Sequence, residues 1–538
     1  MMIRIFLLFF CPLIVSTAPL PYAEWAHYHM VWLHNLHTNQ VDIQAMFDGY
    51  LEHHIPVGIV NIDSRWESNF NTFIFDSEKF PNIRQMLDNI RAKDVHIVLW
   101  MTSFVNIDSP NYEYAQDHGY LFNKTLKWWH GEGRLLDYFN ENAVNWWHSQ
   151  IERLLDTVGP IHAFKADESD RYIEKLHDPR ITWLKYRTAY YNDTFQILRR
   201  LIGPDALIMS RPVDDDLEWS PREIVFMGWV GDEDGTYKGL QTALRYMLES
   251  GRRGYVGFGS DIGGYGTDSS AGPLGRTKEL FLRWTAVGAL SSFMENGGGG
   301  EHLPWKFDDE TVDIYRSWVN LHYSLIPYLY TQGTKAALYR NGTLMLPCKD
   351  IECLLTHAYF LGPSVYVVPV LRDPTPHQTQ LIWLPSSPTG KWVSGFNASI
   401  THKAHSFIHE DTSRLDRIPF YVQLGTLMPM YDLEQSQGLD AYKFVLWGEI
   451  TRFDQPLISS LFTRDGQEWI LELDYIRKRL TTRFVQWHKS NDDQQLATYT
   501  WQFCQYISEQ PVCFSERQQL RNNSWLELDS LVYEKNLN

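Results

Sequence analysis

The sequence contains few of the features that mark metal-binding, nucleic-acid-binding or membrane-spanning proteins. It has five cysteines in 538 residues, and no spacing of Cys and His resembles a zinc site. Acidic residues outnumber basic ones by 65 to 48, and an acidic surface repels nucleic-acid phosphates. Beyond the N-terminus, no apolar run approaches the roughly 18 residues of a membrane-spanning helix. We therefore expect no metal, no nucleic-acid partner and no stable membrane span.

Motifs for cofactors and for a nucleophilic serine are also missing. There is no G-x-S-x-G nucleophile elbow and no glycine-rich dinucleotide turn after the first predicted strand. The four glycines at 297–300 lack the Lys-Ser/Thr that completes a phosphate-binding loop, so we interpret them as a flexible pocket loop. The sequence predicts no cofactor.

The N-terminus has the pattern of a secretory signal peptide. Arg4 supplies a positive charge, an apolar run follows at 5–15, and small residues at 16–18 form a cleavage site. The run is too short to cross a bilayer, and an uncleaved anchor is the alternative. We predict a signal peptide over residues 1–18 and a protein that is secreted or delivered to a lysosome-like compartment.

The remaining cysteines agree with an oxidising compartment. They fall into two close pairs, so we expect Cys348–Cys353 and Cys504–Cys513 bridges, although four cysteines allow three connectivities. Asn-x-Ser/Thr triplets mark glycosylated surface loops in a secreted chain. They occur at Asn123, Asn192, Asn341, Asn397 and Asn522.

Up to about residue 330, strand-like apolar runs alternate with amphipathic helical patterns. The runs lie at 26–33, 57–63, 95–100, 161–167, 206–211, 223–229, 254–261 and 289–294. Such alternation predicts a parallel sheet, and eight strands are the number that closes a TIM barrel. An open, doubly wound sheet is the alternative, weakened by the missing dinucleotide turn. We predict an α/β fold with a (β/α)₈ catalytic barrel over residues 24–335.

The later part of the chain has a different texture. Short strand-like runs are separated by Pro, Gly, Ser and Asp, with no helical period between them, which is typical of antiparallel β-structure. We predict a β-sandwich domain over residues 336–435. Residues 436–538 alternate more weakly, and we interpret them as a second C-terminal β-module.

Acidic and aromatic residues gather at the predicted strand ends. Catalytic groups of TIM barrels lie at the C-terminal ends of strands, where this chain has Asp63, Asp167, Arg211, Asp232 and Asp261, with Trp32, Trp100 and Trp229 nearby. A single Asp there is commonly a helix N-cap, but clustered carboxylates cost energy unless a proton or ligand is shared. Paired carboxylates with indoles indicate a glycosidase, in which one carboxylate attacks the anomeric carbon and another protonates the leaving oxygen.

Several sequence blocks carry a family resemblance. They are FKADESD at 164–170, WVGDEDGTYKGL at 229–240, GFGSDIGGYG at 257–266 and RWTAVGALSSFMENGGGGEHLPW at 283–305. In order and content these blocks resemble glycoside hydrolase family 31, and the stretches at 317–331 and 415–430 are similar to its barrel end and following β-domain. The resemblance implies a barrel with β-domains and a retaining α-glycosidase acting on an oligosaccharide or α-glycoside. Some members are transglycosylases or lyases.

The resemblance also implies roles for individual residues. Asp167 matches the nucleophile and Asp232 the general acid/base, while Arg211 matches the arginine that contacts the sugar ring. Further substrate-binding positions implied by the motifs or by the strand ends are Asn61, Asp63, Trp100, Lys165, Trp229, Asp261 and His302. Because register errors of one residue are easy, neighbouring acids remain as alternatives, namely Glu168, Asp170, Glu233 and Asp234.

The chain departs from the family pattern at three points. Many members have Asp-Ile-Asp after strand two, whereas Asn61 replaces the first charge here. Many have a histidine after strand eight, whereas this chain has Asn296 and the glycine run, so His302 either replaces that histidine from a longer loop or is a surface residue. Both changes concern hydroxyl recognition, which leaves glucose, galactose and xylose open as the glycone.

The third departure concerns the β-sandwich that family members usually have before the barrel, for which we expect no counterpart in this sequence. Its loss leaves the pocket mouth more open, or filled by another part of the chain. A catalytically inactive carbohydrate-binding barrel is therefore an alternative function, but the presence of both Asp167 and Asp232 argues against it. The sequence predicts a secreted retaining α-glycoside hydrolase that works by double displacement.

Overall fold

A computed structural model describes most of the chain. The described residues are 20–34, 38–167, 169–178, 181–211, 221–339, 343–353, 356–373, 378–433, 439, 441–448, 456–474, 479–487, 500–506, 511–513, 518–519 and 524–527. The predicted signal peptide and the glycosylation triplets at Asn341 and Asn522 lie outside them.

Parallel strands form a barrel at the centre of the N-terminal part. Numbered one to eight, they are Met30–Trp32, Ile59–Ile62, His96–Met101, Ala163–Ala166, Leu207–Ser210, Met227–Trp229, Phe258–Gly259 and Glu295–Asn296. Strands one to seven pair in chain order, and strand one also pairs with strand eight. A parallel bridge between Asp261 and Glu295 closes the seam between strands seven and eight. The predicted (β/α)₈ barrel is confirmed, and an open sheet is excluded.

Helices alternate with these strands along the chain. They are α1 Gln40–Glu52, α2 Ile83–Arg91, α3 Tyr112–Asp117, α4 Glu141–Val158, α5 Trp183–Leu201, α6 Tyr237–Arg252, α7 Lys278–Ala289 and α8 Asp309–Tyr339. Shorter 3₁₀ turns lie at Glu24–His27, Asp170–Leu176, Ser269–Ala271, Pro304–Lys306 and Ile351–Cys353. The α1 helix begins at a capping box, in which the Asn39 side chain accepts from the backbone N–H groups of Val41 and Asp42. The predicted domain boundary at 335 falls inside α8.

The position predicted for the eighth strand is wrong. The run at 289–294 forms the end of α7 and a turn, and the strand itself begins at Glu295. The Ser291 hydroxyl donates to the carbonyl oxygens of Gly288 and Phe293, which holds the chain in that turn. Because buried turns and buried strands are equally apolar, periodicity alone did not separate them.

An excursion between strand three and α4 builds part of the barrel mouth. It contains a three-stranded sheet of Phe104–Asn106, Gly131–Leu135 and Leu126–Trp128, together with α3. Trp129 and His130 form the tip of its hairpin and line a cavity at the C-terminal mouth of the barrel. This side of the mouth is therefore filled by the barrel domain itself.

The C-terminal part is built of β-sheets. The first comprises Met345–Pro347, Tyr359–Leu361, Val365–Val367, Phe420–Gln423, Lys391–Ser394 and Thr401–Lys403, and beside it Thr379–Leu384 pairs with Ser406–Asp411. The next comprises Leu427–Tyr431, Ala441–Trp447, Thr500–Tyr506, Pro511–Cys513 and Gln518–Gln519, and the last comprises Leu457–Phe462, Gln467–Asp474, Arg479–Trp487 and Ser524–Glu527. Pairing is antiparallel as predicted, except that Ala441–Trp447 runs parallel to Thr500–Tyr506.

Both predicted disulfides are present, Cys348–Cys353 and Cys504–Cys513. Within the described residues, no helix combines the length and apolar character that crossing a membrane requires.

A buried arginine joins the barrel to the first β-sheet region. Arg283 on α7 has no exposed surface, and its guanidinium donates to the carbonyl oxygens of Arg417 at 3.0 Å and Thr412 at 2.6 Å. Hydrogen bonds from a charged donor to buried carbonyls are stronger than those between neutral groups. This contact therefore fixes the loop at 412–417 to the barrel.

We expect Arg283→Met to lower the free energy of unfolding by about 2 to 3 kcal/mol, because two buried carbonyls lose their donor. Urea unfolding followed by tryptophan fluorescence measures the change. Arg84→Met is the matched control. It removes an exposed pair with Asp88 and should change the free energy by no more than about 0.5 kcal/mol. Equal effects of the two substitutions would contradict a special role for Arg283.

Candidate active site

A cavity of about 310 Å³ opens at the C-terminal mouth of the barrel. Its lining combines carboxylates, two cations and several aromatic rings, namely Trp32, His34, Asp63, Ser64, Trp100, Trp129, His130, Lys165, Asp167, Arg211, Trp229, Asp232 and Tyr265. Most of these residues end or follow a barrel strand, which is why one mouth collects them. The volume is at the lower end of the range for small-molecule sites.

Asp167 lies at the end of strand four and is held from two sides. Its backbone N–H donates to the Met101 carbonyl at 2.9 Å, and the Trp100 indole N–H donates to its carboxylate Oδ2 at 3.0 Å. Burial raises the pKa of Asp167 above its usual value, while the Arg211 charge acts in the opposite direction. The carboxylate therefore depends on Arg211 and Trp100 to remain ionised.

Asp232 follows strand six and forms an ion pair with Arg211. The distance from Arg211 Nη1 to Asp232 Oδ2 is 3.1 Å, and 43% of the Asp232 side chain is exposed. Gly231, just before it, has a φ of +135°, which only glycine adopts readily. This turn brings the carboxylate of Asp232 to the cavity that Asp167 also lines.

Glu233 does not line the central cavity. It lines a neighbouring cavity of about 280 Å³ together with Asp234 and Lys238, and burial raises the pKa of Glu233 to about 7. Neither Glu233 nor Asp234 lines the central cavity, whereas Asp232 borders both spaces. The geometry thus favours Asp232 over its two acidic neighbours as the group that faces a bound ligand.

Lys165 forms the floor of the central cavity. Its ammonium lies 3.1 Å from Asp63 Oδ2 and stands 3.8 Å from the ring centre of Trp32 and 4.7 Å from that of Trp229. Burial alone would lower the pKa of Lys165, but the charges of Asp63 and Glu295 raise it above its usual value. The floor is therefore a cation fixed between indole faces and carboxylates.

Three of the residues predicted to bind substrate do not line this cavity. Asn61 is buried and donates from Nδ2 to Asp63 Oδ2 at 2.9 Å, so it acts on the cavity through Asp63. Asp261 is buried beneath the floor. His302 is also buried, which contradicts the surface alternative, and its Nε2 lies 3.1 Å from the Gly299 carbonyl. It lines an adjoining depression of about 410 Å³ instead.

The sequence analysis missed several residues at this site. His34 and Tyr265 contact each other at 3.3 Å across the mouth, and burial lowers the pKa of His130 to about 4, so that ring is neutral. Their loops are not strand ends, so the strand-end rule did not include them. Glu295 was missed because the eighth strand was misplaced. With the eighth strand placed at Glu295–Asn296, the strand-end rule would have included Glu295.

One close group of potential metal ligands occurs in the part of the chain that the structure describes. It consists of Cys348, Asp350 and Cys353. Both cysteines are joined in a disulfide, and a disulfide sulfur is not the thiolate that binds metals. We therefore assign no metal to this group.

A closed barrel with a carboxylate- and indole-lined cavity at its C-terminal mouth defines a class of protein that includes the glycosidases. The chain matches the glycosyl hydrolases family 31 TIM-barrel domain over residues 19–332. It belongs to this family, as the sequence blocks indicated.

Individual relatives agree with this membership. The chain is 25% identical to an α-xylosidase of Emericella nidulans, an alignment that covers 76% of this chain and 54% of the relative. It is 27% identical to an α-xylosidase of Lactiplantibacillus pentosus, with coverage of 74% and 53%. The chain spans about half the length of these curated relatives.

Solved structures show the same fold. A family 31 α-xylosidase from Xanthomonas citri aligns with a TM-score of 0.78 at 16% identity, covering 94% of this chain and 59% of the other. A family 31 dextranase from Flavobacterium johnsoniae, complexed with glucose, aligns with a TM-score of 0.77 at 17% identity, covering 91% and 64%.

We expect Lys165→Met to lower the free energy of unfolding by about 3 to 5 kcal/mol, because the buried carboxylates of Asp63 and Glu295 lose their cation. Chemical unfolding at neutral pH measures the change. The matched control is Lys238→Met, since Lys238 is exposed on α6 and should alter stability by no more than about 0.5 kcal/mol. An unchanged stability in Lys165→Met would mean that these carboxyl groups carry little charge.

Proposed function

We propose that the protein is a retaining α-glycosidase in which Asp167 is the nucleophile and Asp232 the general acid/base. The observation that carries the proposal is that both carboxylates line one cavity and that the charge of Arg211 acts on both. Two carboxylates with separate environments are what double displacement requires. Family membership supports the same assignment.

In the proposed reaction, ionised Asp167 attacks the anomeric carbon and forms a glycosyl ester. Its indole partner Trp100 stabilises the ionised form through the N–H···O contact. Asp232 protonates the leaving oxygen and then, as a base, activates the water that hydrolyses the ester. Protonation of Asp232 before cleavage weakens its ion pair with Arg211.

The proposed substrate is an uncharged α-glycoside or oligosaccharide. Apolar ring faces suit the indoles of Trp32, Trp100 and Trp229, and the floor and rim groups Lys165 and Asp63 suit hydroxyls. The named activity of two relatives makes α-xylosides the first substrates to test, before α-glucosides and α-galactosides.

We also propose that the protein enters the secretory pathway. The N-terminal pattern and the two disulfides support this destination. Asn123 is exposed in a loop, as glycosylation would require, whereas Asn192 is exposed on helix α5 and not in a loop.

Asp167→Asn should lower kcat/KM for an aryl α-glycoside by about 10⁴-fold or more, because no covalent intermediate forms. Asp232→Ala should lose most activity on poor leaving groups yet keep more on 2,4-dinitrophenyl glycosides, which need little proton assistance. Steady-state rates on a panel of α-xylosides, α-glucosides and α-galactosides check both expectations.

Two further measurements separate the roles in this panel. Added azide should rescue Asp232→Ala and yield a glycosyl azide of retained configuration, identified by NMR. Asp234→Asn is the matched control, because Asp234 lies in the same loop outside the central cavity, and it should keep rates within about threefold. Full activity in Asp167→Asn would refute the nucleophile assignment, and no turnover on any glycoside would favour a binding protein.

Trp100→Phe should move the acidic limb of the kcat/KM profile to higher pH by about one unit. The indole N–H stabilises ionised Asp167, so its removal raises the pKa of Asp167, and activity requires the ionised form. Rates measured from pH 4 to 8 test the shift. Trp66→Phe is the control, since the Trp66 indole donates to the Trp100 carbonyl and not to a carboxylate, and its acidic limb should stay in place.

A further inference from the structure

Four charged or ionisable side chains fill the barrel axis beneath the proposed sugar site. TIM-barrel interiors are ordinarily packed with branched apolar side chains. Here Lys165 reaches from strand four toward Asp63, Asp261 and Glu295, and Asp261 and Glu295 are 1% and 0% exposed. Burying this many charges is unfavourable unless the groups neutralise one another. Their arrangement therefore needs an explanation.

Asp261 and Glu295 meet at the seam that closes the barrel. The two residues are partners in a parallel bridge, and the Ile262 N–H donates to the Glu295 carbonyl at 3.0 Å. Partners in a β-bridge direct their side chains to the same face. The carboxyl groups of Asp261 and Glu295 are thus neighbours inside the barrel.

In the described part of the chain, the carboxyl groups of this pair are poorly supplied with hydrogen-bond donors. No N–H or O–H of the described residues reaches good hydrogen-bonding geometry with their side-chain oxygens, although the Trp32 side chain acts to lower the pKa of Glu295. Two adjacent buried carboxylates without donors repel each other strongly. A proton between them removes one charge and supplies the missing hydrogen bond.

Lys165 links this pair to the cavity. Its ammonium is 3.8 Å from Glu295 Oε1 and 3.1 Å from Asp63 Oδ2. If the pair holds one proton, the net charge of Asp63, Asp261, Glu295 and Lys165 is −1. If the pair holds no proton, this net charge is −2. The shared proton thus limits the excess charge buried under the site.

The directions of the pKa shifts of the two acids agree with a shared proton. Burial raises the pKa of Asp261 well above its usual value, and it raises that of Glu295 to about 7. Other ionisable groups that act on the pair are Lys165, Asp63, Asp232, Glu233, Tyr265 and Arg276. Lys165 opposes the rise for both acids, while the neighbouring carboxylates add to it.

We propose that Glu295 is a positioning residue, which shares one proton with Asp261 and so fixes the Lys165 ammonium at the cavity floor to bind a glycone hydroxyl. The part that concerns the glycone rests on the proposed function. The shared proton does not, because it belongs to the free protein.

Infrared spectroscopy tests the shared proton without substrate. Near neutral pH, Asp261→Asn, Glu295→Gln and the double variant should each lack the same single protonated-carboxyl C=O band, identified by its shift in D₂O. Glu310→Gln is the control, because Glu310 is exposed on α8, and it should keep the band. No band lost in either single variant, or two bands lost in the double variant, would overturn the proposal.

Kinetics test whether Glu295 acts through Lys165. Glu295→Leu should raise KM about tenfold with a smaller change in kcat, and Glu295→Gln, whose amide replaces the shared proton, should restore most of the affinity. Adding Glu295→Leu to Lys165→Met should have no further effect on KM, since residues that act through one another are not additive. Additive effects, or a fall in kcat alone, would overturn the positioning role.

These outcomes are distinguishable from failure of the proposed function. A wild-type protein without glycosidase activity would defeat the proposed function, and the infrared result would still decide the shared proton. If Lys165→Met does not fold, the infrared result and the contrast between Glu295→Leu and Glu295→Gln decide the proposal.

Discussion

Charge neutralisation at the barrel mouth is the constraint on which the rest of the site depends. Asp63, Asp167 and Glu295 lie in or under one cavity, where each carboxylate would be costly alone. Lys165 and Arg211 are the cations that make this arrangement tolerable, one at the floor and one beside Asp232. Because Lys165 is buried with Asp63 and Glu295, these side chains are held in place before any ligand arrives.

The scaffold provides that order through ordinary barrel geometry. Parallel strands end at the same level, so consecutive strand ends deliver side chains to one mouth. Loops supply the remaining walls of the cavity. The hairpin tip with Trp129 and His130 lines one side of the mouth, and Tyr265 with His34 lines another. The β-sheets behind the barrel contribute no residue to the cavity lining in the described part of the chain, and they are joined to the barrel by Arg283.

Prediction from sequence succeeded where a pattern had a direct physical cause. Strand-end positions gave Asp63, Asp167 and Asp232, which line the cavity, because the ends of parallel barrel strands converge at one mouth. Lys165 was expected there only from the family motif. Prediction failed for strand eight, where a turn is as apolar as a strand, and consequently for Glu295. Asp261 and His302 were expected in the pocket but do not line it: Asp261 is buried beneath the floor, and His302 lines an adjoining depression.

The amino-acid sequence alone indicated the family, the barrel and the acids at the strand ends, because each follows from local periodicity, spacing or ordered motifs. It favoured the two disulfide pairings, which the structure then showed. Tertiary structure alone decided which acids share the cavity, which cation lies next to each, and that Asp261 meets Glu295 across the seam. Those relations join residues far apart in the chain. They depend on how the barrel closes, which no local pattern records.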